Sequence, residues 1–375
     1  MTHRERLVGT LKFQPVDRVP DYEFGTWSQT LERWHQEGLP KKYGDWRVME
    51  EYFGTDDELQ GSKLGLETGL FPKFKHQVLE EKGDHRIVIS DDGAIYEEMK
   101  PEIGVSIPIC LRHAIESRAD WETLRDERLN PDTPGRYPAN LDALCKMTWG
   151  SEDPVLLFCG SLYGYIRNWM GVEALSYALY DEPEWVGEMM EHMTFLILSM
   201  LGKIGGKAKV DVGTWWEDMC FSTGPLMSPR HFQELLMPRY KRVMSFLHSE
   251  CQCDLGWVDC DGNIRELAGL WLESGINAMW PLEAAHTDAY ALSGKYGTRM
   301  ALRGYFNKLA LIEGKGAIDK EFDRLRPLFR KGGFIPHTDH LVPPDVSFEN
   351  YCHYRMKKCE FIGKKQDTIG KTHHQ

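Results

Sequence analysis

The stretch LGWVDCDGNIRELAGLWLESGINAMWPLE, residues 255–283, decides the fold. Its apolar run 255–258 predicts a short strand, and the polar tip DCDG (259–262) predicts the turn that follows. Residues 264–274 have the pattern of a helix and are followed by a glycine, the residue type favoured just past a helix end. A second apolar run, 276–280, completes the unit. Strand, helix and strand in this order predict two parallel strands joined by a helix.

The same order of strand, polar tip and helix recurs through the second half of the chain. We find no GxGxxG motif after the first predicted strand and no Walker-type loop, which disfavours a nucleotide-binding, doubly wound sheet. We therefore predict an α/β fold, a single (β/α)₈ TIM barrel with its helices outside. Further strands are predicted over 155–159, 210–214, 300–302 and 333–335, and long helices over 183–203 and 229–248.

The first half of the chain carries additions to this barrel. Residues 3–13 predict an N-terminal helical extension, and 19–24 predict the first strand. Residues 86–98 contain an Asp-Asp-Gly turn between two strand-like runs, which predicts a β-hairpin inserted over one end of the barrel. We predict one domain over 1–363 and a flexible tail over 364–375.

Composition narrows the class of protein and its partners. The chain has 375 residues and a formal net charge of −12, which disfavours nucleic acid or an anionic membrane surface as partner, because both require clustered Lys and Arg. Its nine Cys are scattered, and a disulfide framework is not expected in a chain of this length. We find neither an apolar signal segment at the N-terminus nor an apolar run of membrane-spanning length. These features predict a reduced, cytoplasmic protein.

Polar side chains follow the predicted strands, and in a barrel such strand ends converge on one mouth. Several carboxylates in one mouth raise one another's pKa unless a cation compensates. A metal such as zinc, which accepts His nitrogen and carboxylate oxygen, is one solution. Among these residues we expect His340, Asp259 and Glu217 to be catalytic. The expected substrate-binding residues are Tyr22, Trp215, Trp216, Asp218, Glu283, Tyr305, His337 and Asp339.

Some of these positions have a second interpretation. Asp261 precedes a glycine and is equally typical of a β-to-α turn in which Asp caps the next helix. Cys260 is a further candidate metal ligand. Cys251 and Cys253 precede their strand and so lie at the amino-terminal face of the barrel, which contributes to stability. We therefore interpret them as structural or incidental. The large aromatic side chains predicted at the strand ends could form an apolar wall for an aromatic or cationic substrate.

Four segments resemble the uroporphyrinogen decarboxylase superfamily. They are THRERLVGTLKFQPVDRVP (2–20), GPLMSPRHFQELLMPRYKRV (224–243), VDCDGNI (258–264) and GGFIPHTDHLVPPDVSFENY (332–351), of which the last is the most specific. The resemblance implies a single (β/α)₈ barrel with its active site at the carboxyl ends of the strands. It also implies one of two chemistries.

One implied activity is decarboxylation of a porphyrinogen or a smaller carboxylate without a cofactor. The decarboxylases grip their polycarboxylate partly with a loop of the form M-R-Q-A-G-R-Y after the first strand. This chain has YEFGTW at 22–27, and no arginine occurs between Arg18 and Arg33. Because a polycarboxylate needs bidentate cations, this departure counts against the decarboxylase. His340 matches the family's substrate-binding histidine.

The other implied activity is methyl transfer to or from a corrinoid protein. Thiol-methylating members hold zinc with a His-x-Cys…Cys pattern, and the matching positions here are Asp259, Asp261 and His340, a harder ligand set to which Glu217 could add. This difference favours a methoxy- or methylamine-type substrate over a thiol. We therefore predict a methyltransferase whose partners are a small molecule, a corrinoid (cobalamin) carrier protein and, as in many members, a second copy in a homodimer. Zinc, or His340 as a proton donor, would assist the leaving atom.

Overall fold

The computed structural model describes residues 1–44, 48–56, 64–100, 103 and 107–365. The strands are β1 (Gln77–Lys82), β2 (His85–Ile89), β3 (Ile95–Met99), β4 (Ile109–Arg112), β5 (Leu156–Phe158), β6 (Val212–Trp216), β7 (Cys220–Phe221), β8 (Gly224–Pro225), β9 (Leu255–Asp259), β10 (Ala278–Leu282), β11 (Ala301–Phe306) and β12 (Phe334–Thr338). The helices are α1 (His3–Leu11), α2 (Ser28–Gln36), α3 (Val48–Glu51), α4 (Arg118–Arg128), α5 (Leu141–Trp149), α6 (Gly164–Met170), α7 (Val172–Asp181), α8 (Pro183–Gly202), α9 (Pro229–His231), α10 (Met237–Cys251), α11 (Ala268–Glu273), α12 (Ala289–Tyr296), α13 (Leu309–Glu313), α14 (Lys315–Lys331) and α15 (Phe348–Ile362).

The central sheet is parallel, with the strand order β12-β11-β10-β9-β6-β5. Helices connect these strands, as the stretch 255–283 predicts. The register places Trp216 and Trp280 on either side of Asp259, at the carboxyl ends of their strands. Because all six strands run in the same direction, their carboxyl ends lie along one edge of the sheet. That edge forms the mouth of the barrel.

The segment predicted as the first strand, 19–24, is extended but is not assigned to the sheet. Side chains satisfy part of its backbone: Asp21 N–H donates to Asp56 Oδ2 at 2.9 Å, and the Tyr22 carbonyl accepts from Lys358 Nζ. Further along, Thr26 forms a parallel bridge with Val342, just beyond β12. The segment therefore lies at the open side of the six-stranded sheet, with side-chain hydrogen bonds in place of a ladder.

A buried ionic network fixes this segment to α15. Arg355 donates to Asp21 Oδ2 at 2.7 Å and to Glu23 Oε1 at 2.5 Å, and Lys358 Nζ lies 2.7 Å from Glu23 Oε1. All four side chains are at most 1% exposed. Two buried cations thus face two buried carboxylates, the partly exposed Lys364 also lies 2.8 Å from Asp21 Oδ2, and Tyr354 donates a further hydrogen bond to Glu23. Buried charges persist only when paired and hydrogen-bonded in this way.

Alternate residues of the central strands face the barrel interior. Leu156, Val212, Leu255, Ala278, Ala301 and Ile335 form one buried cluster together with Tyr22 and Trp257. Leu7 and Leu11 of α1 join this cluster. The predicted N-terminal helix therefore covers one end of the interior. Its first turn is stabilised by a capping box between Thr2 and Glu5.

The predicted inserted hairpin, β2–β3, belongs to a larger antiparallel sheet with the order β1-β2-β3-β4. Its turn is the predicted Asp-Asp-Gly sequence, in which Gly93 has a φ of +87°. The outer strands β1 and β4 were not predicted. They are mostly exposed, and their sequences do not alternate between apolar and polar residues. Most of the predicted tail, residues 366–375, lies outside the described part of the chain. Among the described residues, none of the helices is both long and apolar enough to cross a membrane.

Candidate functional site

The mouth of the barrel brings His340 and Asp261 together. His340 follows β12 and Asp261 follows β9, and His340 Nε2 lies 3.2 Å from Asp261 Oδ2. The side chains are 23% and 31% exposed, so a small molecule can reach both. Two residues that are 79 positions apart in the sequence thus meet because their strands end at the same edge.

Aromatic rings surround this pair. The ring of Phe24 lies 4.9 Å from that of His340 and 5.4 Å from that of Trp280, measured between centroids. Phe24 also contacts His337, at 6.2 Å. The imidazole of His340 is therefore held between a carboxylate and an apolar ring, which restricts its orientation.

Arg303 and His337 form the floor of the mouth. Arg303 Nε donates to His337 Nε2 at 2.8 Å, and its guanidinium lies 4.2 Å from the centre of the Trp280 ring. Because arginine can only donate, His337 Nε2 must accept, which leaves the ring proton on Nδ1 to bond the Thr338 carbonyl at 2.6 Å. Burial, and then the charges of Arg303 and Lys358, lower the pKa of His337 well below its usual range. His337 is thus a neutral, fully buried residue.

Glu217 points away from the mouth and is completely buried. Its carboxylate accepts five hydrogen bonds, three of them from backbone N–H groups at the start of α6. Burial raises the pKa of Glu217, and these donors oppose that shift. Glu217 therefore joins the end of β6 to α6 and α10. The donors are Ser161 Oγ (2.8 Å), the N–H groups of Leu162 (2.9 Å), Tyr163 (2.8 Å) and Gly164 (3.1 Å), and the Tyr240 hydroxyl (2.7 Å).

Two more predicted carboxylates brace the loops around the mouth. Asp339 accepts from the N–H groups of Ala284 at 3.1 Å and Lys308 at 3.0 Å, so it links three strand ends. Burial raises the pKa of Asp339. Glu283 accepts from Gly262 N–H at 2.8 Å. These bonds hold the loop of Asp261 against its neighbours.

The two tryptophans of β6 face opposite sides of the sheet, as alternate residues of a strand must. Trp215 is 1% exposed and packs against Tyr240 of α10, away from the mouth. Trp216 faces the mouth, where the guanidinium of Arg167 lies 5.3 Å from its ring centre. Arg167 also pairs with Asp218, at 2.8 Å. Of these two predicted wall residues, only Trp216 lies at the site.

The two predicted tyrosines lie outside the mouth. The hydroxyl of Tyr22 is 2.8 Å from His3 Nε2 of α1, at the covered end of the barrel. Tyr305 packs between Tyr290 of α12 and Arg324 of α14, whose guanidinium lies 4.4 Å from its ring centre. Both side chains therefore contribute to the packing of the barrel.

Of the side chains named for a zinc site, only His340 and Asp261 come together. Among the described residues, no three His, Cys, Asp or Glu side chains are grouped to hold a metal ion. Glu217 is held by its five donors, and Cys260 Sγ accepts from Met219 N–H at 3.3 Å. Burial raises the pKa of the Cys260 thiol well above its usual value. A pair of donors is fewer than the three or four protein ligands that zinc sites have, so this set does not fit zinc.

Sequence reasoning missed four residues of the mouth: Phe24, Trp280, Arg303 and Arg167. Arg303 was missed because β11 extends to Phe306 rather than ending at 302, and only in this longer strand does alternation place Arg303 inside. The same alternation places Trp280 beside it. Phe24 ends the predicted first strand and could have been included. We find no local pattern that marks Arg167, which acts through a contact 51 positions away.

Comparisons with known proteins agree with this architecture. The family model for uroporphyrinogen decarboxylase (URO-D) matches residues 96–354, more than half of the chain. The structure of a methyltransferase from Methanosarcina mazei superposes with a TM-score of 0.58 at 14% identity, covering 96% of this chain and 99% of that chain. A B12-independent methionine synthase from Shewanella sp. W3-18-1, in complex with selenomethionine, covers 92% and 96% at 10% identity, but its TM-score of 0.42 is too low to carry an argument. No curated protein gives a significant match. The family match and the first superposition confirm the predicted resemblance and the α/β TIM-barrel fold.

Proposed function

The chain belongs to the uroporphyrinogen decarboxylase family, and we propose that it is a methyltransferase. It would move a methyl group between a small methoxy- or methylamine-type substrate and a corrinoid protein. The observation that carries this proposal is the His340–Asp261 pair, partly exposed and enclosed by the rings of Phe24 and Trp280. An acid–base pair beside an apolar wall suits a reaction in which a methyl carbon leaves an oxygen or nitrogen atom.

The leaving atom is where this chain's residues would act. When the bond between methyl carbon and oxygen breaks, its electron pair stays on the oxygen, which then needs a proton. His340 can donate that proton, while Asp261, 3.2 Å from its Nε2, orients the imidazole. A reduced corrinoid on a partner protein would supply the electron pair for the new bond to the methyl group. His337 cannot replace His340 in this role, because it is buried and neutral.

The charge and surface of the mouth favour a neutral or cationic substrate. Asp261 and Glu283 follow neighbouring strands at this edge, whereas the guanidinium of Arg167 is paired with Asp218 and that of Arg303 is buried below. A polycarboxylate would meet like charges at this edge. The rings of Trp216 and Phe24 offer apolar surface to a methylated group.

The name of the superposed protein from Methanosarcina mazei, a methyltransferase, adds support for methyl transfer at the level of the fold. The proposal places the reaction in the cytoplasm and takes a corrinoid carrier protein as partner. A homodimer stays a prediction.

One observation favours the alternative, decarboxylation of a smaller carboxylate. Arg303 lies buried beneath the mouth, where its Nε donates to His337, and a guanidinium is the cation that best matches a carboxylate. This activity would need no cofactor and no partner. It differs from methyl transfer in its product, carbon dioxide, and therefore can be tested in the same preparation.

The test uses the purified full-length protein with cob(I)alamin as methyl acceptor. Methoxyaromatic compounds and methylated amines are offered one by one, and formation of methylcobalamin is followed by its absorbance. In parallel, uroporphyrinogen and simple aromatic carboxylates are offered without cobalamin, and released carbon dioxide is measured. We expect methylcobalamin with at least one donor. Carbon dioxide release without any methyl transfer would overturn the proposal in favour of the decarboxylase.

A further inference from the structure

A second concave site lies beside the mouth, where the inserted sheet meets the barrel. It is a cleft of about 270 Å³ between the β2–β3 turn, the carboxyl end of β5 and α6. Binding sites in barrels lie at the carboxyl ends of the strands, and this cleft lies at the carboxyl end of β5. Its volume lies just below the range typical of sites for drug-sized ligands, so it suits a smaller molecule.

Aromatic side chains form the floor of this cleft. The rings of Tyr165 and Trp169 on α6 are stacked with centroids 5.5 Å apart. Phe158, the last residue of β5, also lines the cleft and is 37% exposed. A large aromatic side chain that stays exposed inside a concave site leaves apolar surface for a ligand to cover.

Carboxylates dominate the rim. Among the described residues that line the cleft, Glu67, Asp91 and Asp92 face one ammonium group, that of Lys73. Lys73 Nζ lies 2.7 Å from Asp91 Oδ2, and its hydrogen bond lowers the pKa of Asp91. Lys73 is thereby matched to one carboxylate. The carboxylates that line the cleft therefore outnumber the lining ammonium group, while the buried guanidinium of Arg136 donates behind the rim to the carbonyl oxygens of Glu67 and Gly69.

An aromatic floor under an acidic rim selects for one class of ligand. A quaternary or methylated ammonium group has apolar methyl groups that contact ring faces, and a positive charge that both the rings and the carboxylates attract. A neutral aromatic ring would use only the floor, and an anion would be repelled by the rim. We propose that this cleft binds a small organic ammonium compound. The inference concerns binding alone and does not depend on the proposed methyl transfer.

Isothermal titration calorimetry with the full-length protein tests this site without any turnover. The probe is choline, and the matched control ligand is 3,3-dimethylbutanol, which has the same shape but no charge. We expect choline to bind in the millimolar range or tighter and about tenfold more tightly than the neutral isostere. Equal affinity for the two, or no saturable choline binding up to about 50 mM, would overturn the proposal.

Two substitutions place the binding in the cleft. Phe158→Leu removes the exposed ring, and Asp92→Asn removes a rim charge without changing its size. Each should weaken choline binding several-fold, and Asp92→Asn should leave the affinity for 3,3-dimethylbutanol unchanged. The control is Phe195→Leu, a comparably exposed phenylalanine on α8 that does not line the cleft. Choline affinity equal to wild type in both cleft variants, with native circular dichroism, would also overturn the assignment.

Discussion

Two groups of charged side chains, connected through the adjacent residues Glu23 and Phe24, differ in their exposure to water. In the buried network, Asp21 and Glu23 are matched by Arg355 and Lys358, and all four are at most 1% exposed. At the mouth, His340 and Asp261 are 23% and 31% exposed and have polar atoms within reach of a ligand. The segment that supplies Glu23 to the network supplies the next residue, Phe24, to the mouth.

The difference separates charges that hold the fold from charges that can do chemistry. The network replaces the hydrogen bonds that a first barrel strand would make, and its partners leave no room for a ligand. The pair at the mouth contributes little to packing but can exchange a proton with a bound molecule. Substitutions in the first group should therefore affect stability, and those in the second should affect turnover.

The largest stability effect should come from Lys358→Met. This change leaves the buried carboxylate of Glu23 with one cation fewer, which costs about 3–5 kcal/mol of unfolding free energy. The matched control is the neighbouring Lys357→Met, because Lys357 pairs with Glu360 at the surface and should cost less than about 1 kcal/mol. Urea unfolding of both variants measures the difference. Similar losses of unfolding free energy in the two variants would show that the buried ion pairs contribute no more to stability than a surface pair.

Glu217→Gln should have the next largest effect. The amide group of glutamine cannot accept all five hydrogen bonds and brings an N–H toward backbone donors, which costs about 2–3 kcal/mol of unfolding free energy. Glu234→Gln, at a surface pair with Arg230, serves as control and should change stability little. A Glu217→Gln protein with native stability but no turnover would instead assign Glu217 the catalytic role expected from sequence.

Acid should weaken the network. Burial alone would raise the pKa of Asp21, but Arg355, Lys358 and Lys364 together lower it well below its usual range. Since the folded pKa is then below that of the unfolded chain, its stabilisation is present above about pH 4 and is lost as the pH falls further. Unfolding free energies measured between about pH 7 and pH 3 should fall less steeply for Lys358→Met than for Lys357→Met. Identical pH profiles in the two variants would contradict this role of Asp21.

The smallest effect is expected from Phe24→Leu. Loss of the ring beside His340 should lower kcat/KM for methyl transfer roughly three- to tenfold, the equivalent of about 0.5–1.5 kcal/mol. Phe221→Leu, at an exposed phenylalanine outside the contacts of His340, should leave kcat/KM unchanged. An unchanged rate in Phe24→Leu would mean that the ring does not position the imidazole.

The barrel could be predicted because its signals are local. The unit 255–283 contains its own strands, turn and helix end, and the meeting of Asp261 with His340 follows from the rule that parallel strand ends share a mouth. The inserted hairpin likewise depends on one turn sequence. These features need no knowledge of distant contacts.

The remainder depends on contacts between distant residues and on register. The carboxylate of Glu217 can be buried because it accepts hydrogen bonds from residues 53–56 positions earlier in the chain. No local pattern reveals these donors. The network joins residues more than 330 positions apart. Trp215 and Trp216 are equivalent in sequence, and only the direction of strand alternation decides which one faces the mouth.

The most direct test of the account is a double-mutant cycle on the pair at the mouth. Methyl transfer to cob(I)alamin is measured for His340→Gln, Asp261→Asn and the double variant. We predict a fall of about 10²- to 10⁴-fold for His340→Gln, a smaller fall for Asp261→Asn, and no further loss in the double variant, with unfolding free energies within about 1 kcal/mol of wild type. A His340→Gln protein that keeps the full rate of methyl transfer would contradict the central claim.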